Sequence, residues 1–204
     1  MNLSMDEQTA QLKTRLREEA HARRREQVNK DELSRQIMAR FFALPEYASA
    51  QAVMLYLDVR AEVRTRHDLD TALSSGKQII VPWCRDDGQL ELFLLENVNE
   101  LAVGMYKILE PQAELRTLEA KRFPVEELDL IMVPGVAFDR RGARMGHGKG
   151  YYDKLLERAR RDTPLVALAF ECQLFPEIPV QPHDVFMDKI VTESAIYFGS
   201  HPRS

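Results

Sequence analysis

The stretch Asp129-Leu130-Ile131-Met132-Val133-Pro134-Gly135-Val136-Ala137-Phe138-Asp139-Arg140-Arg141-Gly142-Ala143-Arg144-Met145-Gly146-His147-Gly148-Lys149-Gly150-Tyr151-Tyr152-Asp153 decides how the rest of the chain is read. It opens on a run, Asp129–Val133, that is apolar at consecutive positions. Such a run predicts a strand covered on both faces, as in a parallel sheet. It closes on a helical segment, Gly150–Arg161, reached through a loop with glycines at 146, 148 and 150. Outward from this strand–loop–helix unit the same pattern recurs. Ala52–Leu57, Gln78–Val81, Pro164–Phe170 and Lys189–Thr192 are further short apolar segments, and Arg66–Ser74 reads as a helix between two of them. Gln89–Leu94 alternates instead, after the turn signal Asp86-Asp87-Gly88, and predicts an added antiparallel strand. The first ~45 residues read as helix. Leu12, Leu16 and Ala20 share one face, and Leu33, Ile37, Met38 and Phe41-Phe42 mark a second stretch that ends before Pro45. Strand–helix–strand order predicts an α/β sandwich with a mainly parallel central sheet behind N-terminal helices. One domain over residues 1–204 is expected, with about 1–9 and 199–204 as loose tails.

Composition narrows the class. The chain has 204 residues with a formal net charge of −4, so no global excess of positive charge points to nucleic acid. Mean hydropathy is −0.35 and no apolar run approaches the about 20 residues that span a bilayer, so no membrane segment is expected. The first eight residues hold no apolar core of a signal peptide. Cys84 and Cys172 have no metal-ligand spacing, and a reducing cytoplasm is the expected compartment.

The glycine-rich loop carries the chemistry. Glycines at this density let the backbone approach a ligand, with N–H groups converging at a helix N-terminus in a way that suits phosphate. Arg144 and Lys149 add positive charge. The P-loop pattern fails, because Ala143 and Gly150 stand where it needs glycine and a hydroxyl, and the dinucleotide fingerprint fails because the third glycine comes one residue early. A plain strand-to-helix turn, with Asp153 facing the helix dipole, is the competing reading of the same residues.

The whole string is more specific. Pro134, Gly135, Phe138 and Asp139, then Gly142, Arg144, Gly146, Gly148, Gly150, Tyr151, Tyr152 and Asp153, resemble the signature of the 5-formyltetrahydrofolate cyclo-ligase family. Lys13, Leu16 and Arg17 match its opening Lys-x-x-Leu-Arg. Glu62-Val63-Arg64-Thr65 matches its Glu-aliphatic-x-Thr, Tyr106 stands five residues before Pro111, and Asp188 precedes the last core strand. The resemblance runs from about residue 10 to 198.

That resemblance implies a three-layer α/β/α sandwich and an ATP- and Mg²⁺-dependent closure of 5-formyltetrahydrofolate to 5,10-methenyltetrahydrofolate, with ADP and phosphate released. It implies ATP contacts from Lys13, Arg17, Arg144, Gly146, His147, Gly148, Lys149, Gly150, Tyr151 and Tyr152. Arg144, Lys149 and Tyr151 are the implied catalytic residues. Leu57, Glu62 and Tyr106, together with His147, Gly148, Lys149, Gly150 and Tyr151, are implied at the folate. Asp153 and Asp188 are the implied Mg²⁺ ligands, meeting at one ion. Arg23, Arg24 and Arg25 are expected to face solvent. Partners are expected to be small molecules, ATP and a reduced folate, with no nucleic acid or membrane, acting on a monomer. Two other classes stay open: a relative using the same ATP loop on a non-folate substrate, and a nucleotide-binding module without turnover.

Overall fold

The structure is a computed structural model that describes residues 5–85, 87–104, 108–181 and 184–200. Two helices open it, α1 (Met5–Glu26) and α2 (Lys30–Phe42), parted by Asn29 in a left-handed conformation with φ 56°. A short α3 (Pro45–Ser49) begins at Pro45, where the sequence reading ended the helix; proline fits a first helical position because its missing N–H would be unpaired there anyway. Then follow β1 (Ala52–Met54), α4 (Leu69–Leu73), β2 (Gln78–Cys84), β3 (Leu90–Leu95), β4 (Leu101–Val103), β5 (Leu109–Pro111), β6 (Leu130–Val133), β7 (Ala137–Asp139), β8 (Arg144–Met145), α5 (Tyr151–Arg158), β9 (Leu165–Leu168), β10 (Leu174–Phe175), β11 (Lys189–Val191) and β12 (Ile196–Phe198).

Seven strands form the central sheet in the order β12-β11-β9-β6-β1-β2-β3. The five inner strands are parallel, and β3 and β12 join the two edges antiparallel. Each inner strand feeds two cores. Val53, Ile79, Leu130, Met132 and Val166 pack toward α2 and α4, under Ile37, Phe41, Leu69 and Ala72. Met54, Ile80, Ile131, Val133 and Ala167 pack the other way, toward Leu155 and Leu156 of α5. This two-sided burial is the physical reason that the strands read as continuous apolar runs, each buried aliphatic residue contributing about 1.5–3 kcal/mol. The three-layer α/β arrangement and the antiparallel β3 match the sequence reading.

Other features differ from it. The β7–β8 hairpin, inside what read as one long loop, forms a separate three-stranded sheet with β10, which comes after β9. Helix α1 lies on this small sheet rather than on the central one: Ala20 is fully buried with Val136, Ala137, Met145 and Phe175, and Leu16 packs beside it, whereas Leu12 is exposed. The expected tails lie partly outside the described residues, at 1–4 and 201–204. Residues 5–9 belong to α1, and Gly199 and Ser200 donate to the carbonyls of Asp188 and Arg141 at 2.8 and 3.0 Å.

Candidate active site

The loop between β6 and α5 is built before any ligand arrives. A Cβ on Gly135 would overlap the ring of the buried Phe138, so the glycine lets the chain fold back over that ring. The Asp139 carboxylate is fully buried and accepts from the backbone N–H of Arg141 at 2.9 Å, Ala143 at 3.1 Å and Ile178 at 3.0 Å, which closes the β7–β8 turn. The chain returns through Arg144 to the glycines. Gly148 and Gly150 hold φ of 88° and 69°, a region that other residues resist, and Gly150 is the residue from which α5 starts. The unpaired N–H groups of the first turn of α5 therefore face the loop, as an anion site requires.

Helix α1 straps this loop. Arg17 Nε donates to the Gly146 carbonyl at 3.0 Å, and its guanidinium lies close enough that a Cβ on Gly148 would meet it at 3.6 Å. Lys13 shares that helix face, but its ammonium reaches Asp184 at 3.0 Å, so the two basic residues do not converge as a pair. Arg24 corrects the expectation of a solvent-facing basic run. It is 2% exposed and donates to the Gly135 carbonyl at 3.3 Å. Burial presses its guanidinium below the ordinary arginine value, while Glu62 and Tyr56 pull the other way. Arg23 is also engaged, over the Phe175 ring at 4.3 Å, and of the three only Arg25 is exposed. The spacing 13, 17, 20, 24 would have marked Arg24 as an inward position had the small Ala20 been read as a close helix contact.

Glu62 is presented by the turn after β1. Asp58 anchors that turn: its buried carboxylate accepts from the N–H of Thr65 and Arg66, both at 3.0 Å, and from Arg66 Nε at 3.1 Å. Thr65 Oγ1 donates to the Tyr56 carbonyl at 2.6 Å. The threonine of the Glu-aliphatic-x-Thr stretch thus holds the turn together, and Asp58, which no sequence motif singled out, shares that task. Glu62 itself is 6% exposed; its Oε2 accepts from Val59 N–H at 3.0 Å and its Oε1 lies 3.5 Å from His147 Nε2 in the glycine loop. Burial, followed by the nearby Glu62 charge, pushes the hydroxyls of Tyr56 and Tyr152 well above the usual tyrosine value, so both stay protonated donors. Leu57 is buried in the core beneath this turn. Tyr151 packs its ring against Gly88, with Lys149 Nζ 5.6 Å from the ring centroid. Trp83 is partly buried and carries the Arg116 guanidinium 4.6 Å over its ring. Tyr106 lies outside the described residues.

The structure brings together Arg17, Glu62, Arg144, the glycine loop, Tyr151, Tyr152 and Asp153. It does not bring Asp188 to them. Asp188 precedes β11, at the edge where the parallel strands begin, and its carboxylate accepts from the N–H of Leu165 at 2.7 Å while its own N–H donates to the Leu165 carbonyl at 2.9 Å. Asp153 lies past the opposite edge, where β6 ends, and forms an ion pair with Arg144, whose guanidinium also donates to the Pro134 carbonyl at 3.4 Å. The two aspartates expected to share Mg²⁺ thus each have a protein partner of their own, Arg144 for Asp153 and the Leu165 N–H for Asp188. Among the described residues, no group of three or more His, Cys, Asp or Glu is placed to hold a metal ion. Arg144 is buried beside the glycine loop with Nε unpaired, a donor suited to an anion, while on the neighbouring turn Asp58 Oδ2 is likewise without a hydrogen bond.

Comparison with known proteins identifies the family. Residues 6–193 match the family described as the 5-formyltetrahydrofolate cyclo-ligase family. A probable 5-formyltetrahydrofolate cyclo-ligase from Schizosaccharomyces pombe is 32% identical over 179 residues, covering 81% of this chain and 86% of the relative. The Escherichia coli K12 5-formyltetrahydrofolate cyclo-ligase is 29% identical over 169 residues, covering 81% and 91%. The solved 5,10-methenyltetrahydrofolate synthetase of Aquifex aeolicus superposes with a TM-score of 0.79 at 33% identity, covering 95% of both chains. Among the described residues, no helix is long and apolar enough to cross a membrane.

Proposed function

The chain belongs to the 5-formyltetrahydrofolate cyclo-ligase family, and from that premise we propose that it closes 5-formyltetrahydrofolate to 5,10-methenyltetrahydrofolate at the expense of ATP. The observation that carries the reading is one contact: the phosphate-type glycine loop and the buried acid of the β1 turn meet at His147 and Glu62, 3.5 Å apart. A nucleotide on the loop and a pterin on Glu62 would then be neighbours.

The reaction needs that adjacency. The formyl oxygen on N5 is a poor leaving group. Transfer of the γ-phosphoryl group from ATP to that oxygen breaks the bond to ADP and makes a good one. N10 then attacks the formyl carbon and loses its proton, and inorganic phosphate departs with the oxygen. The protein's part is positioning and charge stabilisation. The loop N–H groups and the start of α5 receive phosphate oxygens, with Arg17 and Lys149 adding charge from two sides. Arg144, oriented by Asp153, offers its buried unpaired Nε–H from beneath. The Glu62 carboxylate accepts from the amino and N–H donors of the pterin, and the tyrosines at 151 and 152 flank the flat rings. Mg²⁺ would enter with the ATP phosphates and neutralise their charge, and Asp153, in the first turn of α5 beside the glycine loop, is the carboxylate that would reach it. The same reading takes ATP and a reduced folate as the partners required, and a monomer in a reducing cytoplasm as the working form, in keeping with two free cysteines.

Near-ultraviolet absorbance after mixing protein, Mg-ATP and 5-formyltetrahydrofolate tests the reading. The methenyl product's band should grow only when ATP is present. Turnover without ATP, or none from folded protein, would sink it.

A further inference from the structure

His147 stands between the two halves of the site, and α1 supplies a second imidazole to hold it. The rings of His21 and His147 are stacked, with centroids 5.4 Å apart and planes 25° from parallel. On its other side His147 Nε2 meets Glu62 Oε1 at 3.5 Å, the outer limit of a hydrogen bond, which a charge on the imidazole would tighten. Helix α1 brings Arg17, His21, Arg24 and Arg25 to this region, the β1 turn brings Arg60 and Glu62, and the glycine loop brings Arg144 and Lys149. Tyr152 adds a neutral hydroxyl. Glu62 is the acid in contact with His147, and it is buried.

We propose that the His21–His147 stack is a positioning device for Glu62: His21 holds the His147 ring where its charged form competes with the folate's donors for the Glu62 carboxylate. The proposal rests on the cyclo-ligase reading above and adds a specificity role to two residues of this chain. Neutral His147 leaves Glu62 Oε1 available. Protonated His147 forms an ion pair with it, and the pterin must displace that pair. Burial, then the charges of Arg24 and His147, hold the His21 imidazole below the ordinary value, which favours its neutral form as a face for the other ring. Folate affinity therefore falls once His147 carries its proton.

The test is the KM for 5-formyltetrahydrofolate from pH 5.5 to 8.5, with ATP saturating, in the wild type and in His147→Gln, His21→Ala and His21→Phe, each checked by a melting curve. The wild-type KM should rise several-fold between pH 7.5 and 5.5. His147→Gln should flatten that rise. His21→Ala should weaken it, and His21→Phe, which keeps a stacked ring, should restore it. A flat wild-type profile, or a His147→Gln profile parallel to it, overturns the inference while the cyclo-ligase reading stands. Identical profiles for His21→Ala and wild type overturn the positioning role of His21. Folded protein without cyclisation at any pH overturns the cyclo-ligase reading itself, and the inference with it.

Discussion

The two edges of the central sheet carry the same kinds of residue and put them to different use. Where the parallel strands begin, acids satisfy backbone. Asp129 accepts from the N–H of Gln51 and Ala52, both at 3.0 Å, at the start of β1. Asp188 does the same for Leu165 at the start of β9, and Thr163 donates to the Leu128 carbonyl at 2.8 Å. Where the strands end, the candidate site acids Glu62 and Asp153 meet side chains, His147 and Arg144. A carboxylate bonded to strand N–H groups fixes register and has no freedom to exchange partners. A carboxylate paired with a side chain on a glycine-rich loop can trade that partner for a ligand. Edge and partner together separate the two kinds of acid: Asp58, also beyond the end of β1, accepts from the N–H groups of Thr65 and Arg66 and holds the turn, whereas Glu62 keeps an oxygen for a side chain, at the edge where ligands gather.

The largest expected effect lies at the strand-exit edge. Arg17→Ala should weaken ATP binding by about 1.5–3 kcal/mol, the range for a charged hydrogen bond, which is roughly 10- to 150-fold in Kd. The melting temperature should barely move, since Arg17 is half-buried. The matched control is Arg25→Ala, an exposed residue on the same helix, expected within about 0.5 kcal/mol of wild type in stability and without effect on Kd. Arg24→Ala cannot serve as that control, because its guanidinium is buried. Equal Kd effects from Arg17→Ala and Arg25→Ala would replace the loop contact with a diffuse basic surface and blur the contrast between edges.

The strand-start edge gives the reverse signature. Asp188→Ala strands the Leu165 N–H and should cost about 1–3 kcal/mol in a urea titration, with kcat/KM per folded molecule and its Mg²⁺ dependence unchanged. Unchanged stability combined with lost Mg²⁺ dependence would return Asp188 to the active site.

This contrast also explains what was legible in the sequence. The strands were, because Val53 and Met54 point into different cores and both must be apolar. The glycine loop was, because its φ values and its approach to Arg17 demand glycine. The β7–β8 hairpin was not, since its turn is closed by Asp139, an acid that in sequence looks like any loop residue. Arg24 looked like its exposed neighbour Arg25, because a charge run hides which member faces inward. For Asp188 the sequence lacks the tertiary fact that matters: a residue before a strand reaches the strand-exit edge only if that strand begins there, and β11, parallel to β9, begins at the far edge. Sequence order says which acids flank strands, whereas parallel pairing decides which flank matters.

The smallest expected effect is the sharpest test of the strand-start edge as an electrostatic clip. Burial works to raise the Asp129 carboxyl, but the N–H groups of Ala52 and Gln51 and the Arg160 guanidinium together hold it below the ordinary aspartate value of 3.8. A group depressed in the folded state contributes stability above its unfolded value and loses it as pH falls through the folded value. Asp129→Asn keeps the shape and one acceptor while removing the charge. The melting temperature of the wild type should therefore exceed that of the variant at pH 7, and the gap should close as pH drops below about 4. Asp129 is 37% exposed on its side chain, so solvent screens the pair and the gap at pH 7 should be a degree or two, shrinking further in high salt. A gap that persists unchanged to pH 2 would mean that shape rather than charge holds the start of β1. The strand-start acids would then be packing residues, and their difference from Glu62 and Asp153 would rest on geometry alone.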